Sequence, residues 1–321
     1  MGPFILKLVW LSLASFFVVH LATGAAVWGL APAVIRAASR MPASSATRLL
    51  LATRLFPCAL ALFFVVAFCV PSYLWLEPEA ATEEMSIPCL AAAILCALIW
   101  MISVTRAART IGQSRRYIRS CRNSGRELDL SAYGVTGWVI GDAHSIGLTG
   151  IFRPQIVIGR DILETLSREQ LDAAVRHERA HATSRDNLKK LLLLLTPDVA
   201  PFLRTRFREM DQAWARFAEW AADDRAAAGD PRRALFLADA LVAVARTGGE
   251  ARTVALMTSL VAQPGELSAR VDRLFEIRPD RPKSRRRLPL IGAGIVFAAL
   301  AVPLGASMLT GVHELLEKWI R

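Results

Sequence analysis

Four apolar stretches constrain this chain more than any other feature, because each approaches the roughly 20 residues that a helix needs to cross about 30 Å of hydrocarbon. They cover residues 4–35, 55–76, 87–104 and 288–312. The first holds Lys7 and His20, whereas the second and third carry no charge at all. A secretory signal fits the first poorly, since it is too long and no clear polar region with a cleavage site follows it. With 54% apolar residues, neither a disordered chain nor a purely soluble protein is expected.

Charge in the short connections sets an orientation. Arg36, Arg40, Arg48 and Arg54 separate the first two stretches, with no acid among them. Glu77, Glu79, Glu83 and Glu84 separate the second and third, with no base. Seven arginines from Arg106 to Arg126 follow the third, and Arg278 to Arg287 form a second basic run ahead of the fourth. The N-terminus is therefore expected outside, with residues 105–287 cytoplasmic and a short outer tail at 313–321. These basic runs explain much of the net charge of +11. They abut spans, where they meet anionic headgroups, and lack the interleaved aromatics of a nucleic-acid surface, so membrane lipid is the expected partner and nucleic acid is not. The five cysteines show no C-x-x-C pair and are read as buried, reduced thiols.

Within residues 105–287 the pattern starts β-like. Gly134 to Gly141 and Gln155 to Gly159 are short runs bounded by glycine or proline, which predicts a small sheet or hairpin pair. Beyond them everything reads helical. Ser167 with Gln170 makes a capping box for a helix running to about Leu195. A second helix spans about Arg204 to Ala228, a third runs from Pro231 to about Arg246, and a further one includes Leu267 to Phe275.

The first of these helices carries His177-Glu178-Arg179-Ala180-His181. Histidines four apart share a helix face and can reach one metal ion. Glu178 adjoins the first of them, placed to take a proton from an activated water rather than to bind metal. A catalytic zinc needs a third protein ligand and an open position. Glu219 offers that carboxylate, and Asp223, one turn later, can orient a ligand imidazole. Ala174, Ser184, Ala215, Ala222 and Ala226 are small enough to let the two helices approach closely, while Phe207, Met210, Trp214 and Phe217 read as core. His144, in a glycine-rich loop, is a weaker candidate donor to the reaction. His20 is a polar group inside a span without an obvious partner, and His313 lies on the outer side. Arg176, Arg179, Arg185 and Lys189 surround the motif and disfavour cleavage within hydrocarbon.

Three linked segments, Gly150 to Ile158, His177 to His181 with Arg185-Asp186-Asn187, and Glu219 to Asp224, resemble the BlaR/MecR-type family of membrane zinc metallopeptidases. The resemblance implies a gluzincin-like cytoplasmic α+β domain between three spans and a fourth. It also implies one Zn2+ per chain, held by His177, His181 and Glu219, with Glu178 as base and Asp223 in support. The expected activity is zinc-dependent endopeptidase cleavage of a cytoplasmic protein, a transcriptional repressor, in regulated signalling at the bacterial inner membrane. The chain lacks the outer penicillin-binding sensor domain of the best-known members, which leaves the signal unassigned. HtpX-type membrane proteases share both metal motifs but place them after two spans; they suggest quality-control proteolysis as the alternative. A non-catalytic regulator of the same fold is a third reading, although Glu178 and every ligand are present. An extended substrate could pair with an edge presented by Gln155, Ile156, Val157 and Ile158.

Overall fold

The computed structural model describes residues 2–76, 85–141, 144–198, 200–247, 258–260 and 266–276. Three of its helical segments are long and apolar enough to cross a membrane: Phe4–Ala38, Ala43–Trp75 and Ile87–Ser124. The expected fourth span at 288–312, the basic run before it and the four-glutamate loop lie outside the described residues.

Helix α1 (Gly2–Ala38) turns through residues 39–42 into α2 (Ala43–Phe64). A π-helical turn, Val65–Cys69, joins α2 to α3 (Val70–Leu76). Pro71 lacks the amide that would bond one turn back, so the ladder widens just before it. Helix α4 (Ile87–Ser124) starts behind Ser86 with Pro88 in its first turn. It continues without interruption well past residue 104, where the apolar stretch ends, so the expected domain boundary falls inside one helix.

Five strands form a mixed sheet in the order β1 (Arg126–Leu128), β2 (Thr136–Ile140), β4 (Gln155–Gly159), β3 (Ile146–Thr149) and β5 (Thr258–Ser259). Strands β2 and β4 are parallel, and the other pairs are antiparallel. No local pattern signals β5, a two-residue strand held by tertiary pairing. Strand β4 is paired on both sides. The expectation that Gln155, Ile156, Val157 and Ile158 present a free edge is therefore corrected: their backbone groups are already used, and Ile156 to Ile158 are buried.

Helix α5 (Arg160–Thr165) leads to α6 (Arg168–Ser184), which opens on the expected capping box of Ser167 and Gln170. The expected single helix to Leu195 is broken. Arg185 takes a left-handed conformation at φ 55°, which disfavours any residue but glycine, and α7 (Asp186–Leu195) sets off in a new direction. Helices α8 (Leu203–Ala227), α9 (Pro231–Thr247) and α10 (Leu267–Phe275) complete the description.

Two kinds of core result. One packs the sheet against α5, α6, α9 and α10 through residues such as Ile146, Ile158, Ile162, Leu237 and Leu241. The other joins α8 to the apolar helices: Leu203, Phe207 and Met210 pack with Val27 and Ala31, and Trp214 and Phe217 with Ala38, Ala46 and Leu50. Helix α8 therefore belongs to both halves of the molecule.

Candidate metal centre

Helix α6 supplies His177, Glu178 and His181, all buried to within 1% exposure or less. Helix α8 packs against it, closed up through Ala174 and Ala226, with Ala222 also buried, while Ala215 faces the apolar helices instead. Arg225 ties the pair together by donating to Ala180 O at 3.2 Å and to the Ser184 hydroxyl. This packing brings Glu219 to both imidazoles. Its Oε2 lies 3.4 Å from His177 Nε2, its Oε1 lies 3.5 Å from His181 Nε2, and the two Nε2 atoms are 3.1 Å apart. Among the described residues, these three form the group able to hold a metal ion.

The donor set fits zinc. Ligand atoms about 2.0–2.1 Å from a tetrahedral ion stand about 3.3 Å from one another; here the two Nε2 atoms are 3.1 Å apart, each ring faces a different oxygen of Glu219, and one ligand atom from each residue can be drawn within 4.8 Å of the others. Both Nε2 atoms face a common point, while each Nδ1 meets a carboxylate: His177 Nδ1 lies 2.9 Å from Asp223 Oδ1, and His181 Nδ1 lies 2.8 Å from Asp186 Oδ2. A carboxylate on Nδ1 keeps the proton there and leaves the Nε2 lone pair for a metal.

Asp186 reaches His181 because of the Arg185 break. Without it, residue 186 would continue up the helix axis; with it, the carboxylate returns to the buried ring and Lys189 holds its other oxygen at 2.8 Å. Asn187 pins the start of α7 to the sheet by donating to Gly150 O at 2.8 Å. Strain at a non-glycine residue is concentrated where it places a functional group.

Arg270 was missed by reasoning from sequence. It comes from α10, is 4% exposed, and donates to both oxygens of Asp223, at 2.9 and 2.7 Å. Its Nη1 stands 3.2 Å from Glu219 Oε2 and donates to Leu260 O at 2.6 Å. One guanidinium thus fixes two carboxylates of the centre and the residue after β5. A signal did exist: Leu267, Arg270, Val271 and Leu274 follow a helical apolar spacing, with an arginine where a hydrophobe is expected.

The electrostatics call for a cation. Burial disfavours charge on His181, yet Glu219, Asp186 and Glu178 push its pKa up to about 10. Burial likewise opposes charge on His177, and Asp223 and Glu219 overcome it in the upward direction. Burial also works against ionised Glu219, but His181 and Arg270 hold it well below the usual carboxylate range. Carboxylates of this kind, gathered on two imidazoles, attract either protons or a metal ion.

The weaker sequence candidates lie elsewhere. His144 pairs through Nδ1 with Asp161 Oδ2 at 2.5 Å, on an exposed loop. His20 is fully buried among the apolar helices, edge-on to Phe16, with neither ring nitrogen hydrogen-bonded among the described residues. The five cysteines are free thiols, and Cys58 is half-buried rather than buried. His313 lies outside the described residues.

No curated protein matches the chain. Residues 141–281, which hold both metal-motif helices and Arg270, match peptidase family M48, whose members depend on zinc. Over these residues the chain is similar to M48 peptidases, beside three helices long and apolar enough to cross a membrane.

Proposed function

We propose that the protein is a membrane-anchored, zinc-dependent endopeptidase. The observation that carries this reading is the His177–His181–Glu219 group, with ligand atoms gathered within 4.8 Å and a carboxylate behind each imidazole. His177, His181 and Glu219 hold the ion, with Asp223 and Asp186 orienting the rings. Bound zinc supplies a Lewis acid for the scissile carbonyl and lowers the pKa of a water towards about 7. Glu178, buried beside His177, takes the water proton and passes it to the leaving amine. Arg270 keeps Glu219 and Asp223 in register throughout.

For the substrate, the likeness to BlaR/MecR-type peptidases favours a cytoplasmic repressor, and the charge pattern favours four spans with residues 105–287 on the cytoplasmic side of the bacterial inner membrane. Glu178→Gln tests the chemistry. The variant should keep about one zinc per chain and lose hydrolysis, and a cytoplasmic protein should accumulate uncleaved in cells that carry it. Full hydrolysis by this variant would remove Glu178 as base. Orientation has its own test, in a background without native cysteines. A cysteine at Thr82 should react with an impermeant reagent in intact cells, and one at Ser124 only after lysis; the reverse pattern would exclude a cytoplasmic substrate.

A further inference from the structure

The peptidase domain is expected to rest on the membrane surface, yet one of its turns sits lower. Helices α1 and α2 run antiparallel, with Phe16 clustered with Ala61, Leu11 with Cys69, and Phe4 4.8 Å from Tyr73 between ring centroids. Trp28 on α1 is thus level with about residue 50 of α2, and exposed Trp75 lies about 37 Å further along at 1.5 Å per residue. That separation exceeds the hydrocarbon thickness of about 30 Å and stays within the bilayer with its headgroups, the level at which interfacial tryptophans stand. Trp28 marks the face on the domain's side.

The connection between α7 and α8 reaches this level. Phe202 is 52% exposed and stands edge-on to Trp28, with ring centroids 6.3 Å apart. Leu203 packs so close to Gly24 that a methyl group there would lie 3.1 Å from Leu203 Cδ1. Arg204 and Arg208, exposed one turn apart, are placed to meet headgroup phosphates. Phe152, 76% exposed, lies at a similar height, because its neighbour Ile151 packs with Ala107 just beyond the uncharged part of α4. Beneath the turn, buried Arg54 of α2 meets Asp198 Oδ1 at 3.0 Å and Asp211 Oδ1 at 3.2 Å, with its guanidinium 4.3 Å from the centre of the Phe207 ring. These contacts fix the depth.

We propose that the α7–α8 connection of the peptidase domain is inserted into the lipid leaflet on the domain's side, with Phe202 and Trp28 in its interface. The bilayer is the partner of this surface, by continuity with the lipid-facing sides of α1 and α2. Helix α8 runs parallel to α1, since its start clusters with Val27 and its middle with Ala38. The rise from residue 202 to residue 219 therefore sets Glu219 about 25 Å from the level of Phe202. A membrane-anchored substrate needs about eight extended residues to reach the centre.

The test replaces Phe202 by the photo-crosslinker p-benzoylphenylalanine, in full-length Glu178→Gln protein reconstituted in phosphatidylethanolamine/phosphatidylglycerol vesicles. Phe236, a partly exposed aromatic on α9 away from the apolar helices, serves as the control. Mass spectrometry should show lipid adducts about tenfold more abundant at 202 than at 236. Equal yields, absence of lipid at 202, or crosslinks from 202 to a second copy of the chain would each overturn the proposal. Because the protein used is without its base, the outcome is independent of whether the peptidase reading holds.

Discussion

Helix α8 carries two buried ionic clusters, and they differ in what they lack. Near its start, Arg54 sits between Asp198 and Asp211. The cation and its carboxylates answer one another, and Phe207 covers the guanidinium. Two turns beyond Asp211, at Glu219 and Asp223, acids crowd two imidazoles, with Arg270 among them and Lys189 on the outer oxygen of Asp186. Arg204 stands 3.9 Å from Asp198 and burial pushes the Asp211 carboxyl up to about 6, so the first cluster comes close to neutral without a ligand. The second is built around a missing positive charge. One helix thus shows how the same residue types make either a structural clamp or a binding centre, according to whether the charges balance.

The largest effect that could break this comparison comes from the ligands. His177→Ala, His181→Ala or Glu219→Ala should each take zinc from about one per chain to near none by metal analysis. Full occupancy in all three would show that the second cluster is merely another clamp. Next comes Arg54→Ala, which strands two carboxylates and should cost about 3–5 kcal/mol in stability while leaving zinc content unchanged. Arg54→Met combined with Asp198→Asn and Asp211→Asn should recover most of that loss in thermal unfolding. If zinc were lost along with stability, the two clusters would be one unit. The smallest effect sharpens the account of Arg270. Arg270→Met and Asp223→Ala should each weaken zinc affinity by about 10–100-fold, as measured by chelator competition, with the helices still folded. An unchanged affinity would reduce both residues to packing.

Local features were legible in the sequence. The three apolar helices needed only length and absence of charge, and the capping box placed the start of α6 correctly. Histidine spacing on one helix face is likewise local, so four-residue spacing alone pairs His177 with His181. What escaped was set at a distance. Arg270 is one arginine in a chain rich in them, and its role depends on α10 folding back onto Asp223, 47 positions earlier. The break at Arg185 has no glycine or proline to announce it; it follows from Asp186 turning back to His181. Strand β4 read as an edge because alternation and turn residues say nothing of how many neighbours a strand has. The pairing of α8 with α1 and α2 was hidden for a similar reason, since Phe207 and Trp214 read as core without naming the core they enter.

Helix α4 has a mechanical consequence. Its 38 residues form one uninterrupted rod about 57 Å long, which packs on α1 at one end and on α7 and β2 at the other. At Gly125, where it ends, a side chain would meet Cys121 O at 2.4 Å, so the rod is joined tightly to β1. A lever of that length turns a tilt of about 5° at the far face of the membrane into about 5 Å of travel at Ser124. The same tilt gives about 2.5 Å at Ala107, which packs with Leu191 of α7, the helix whose Asp186 stands against the ring of His181.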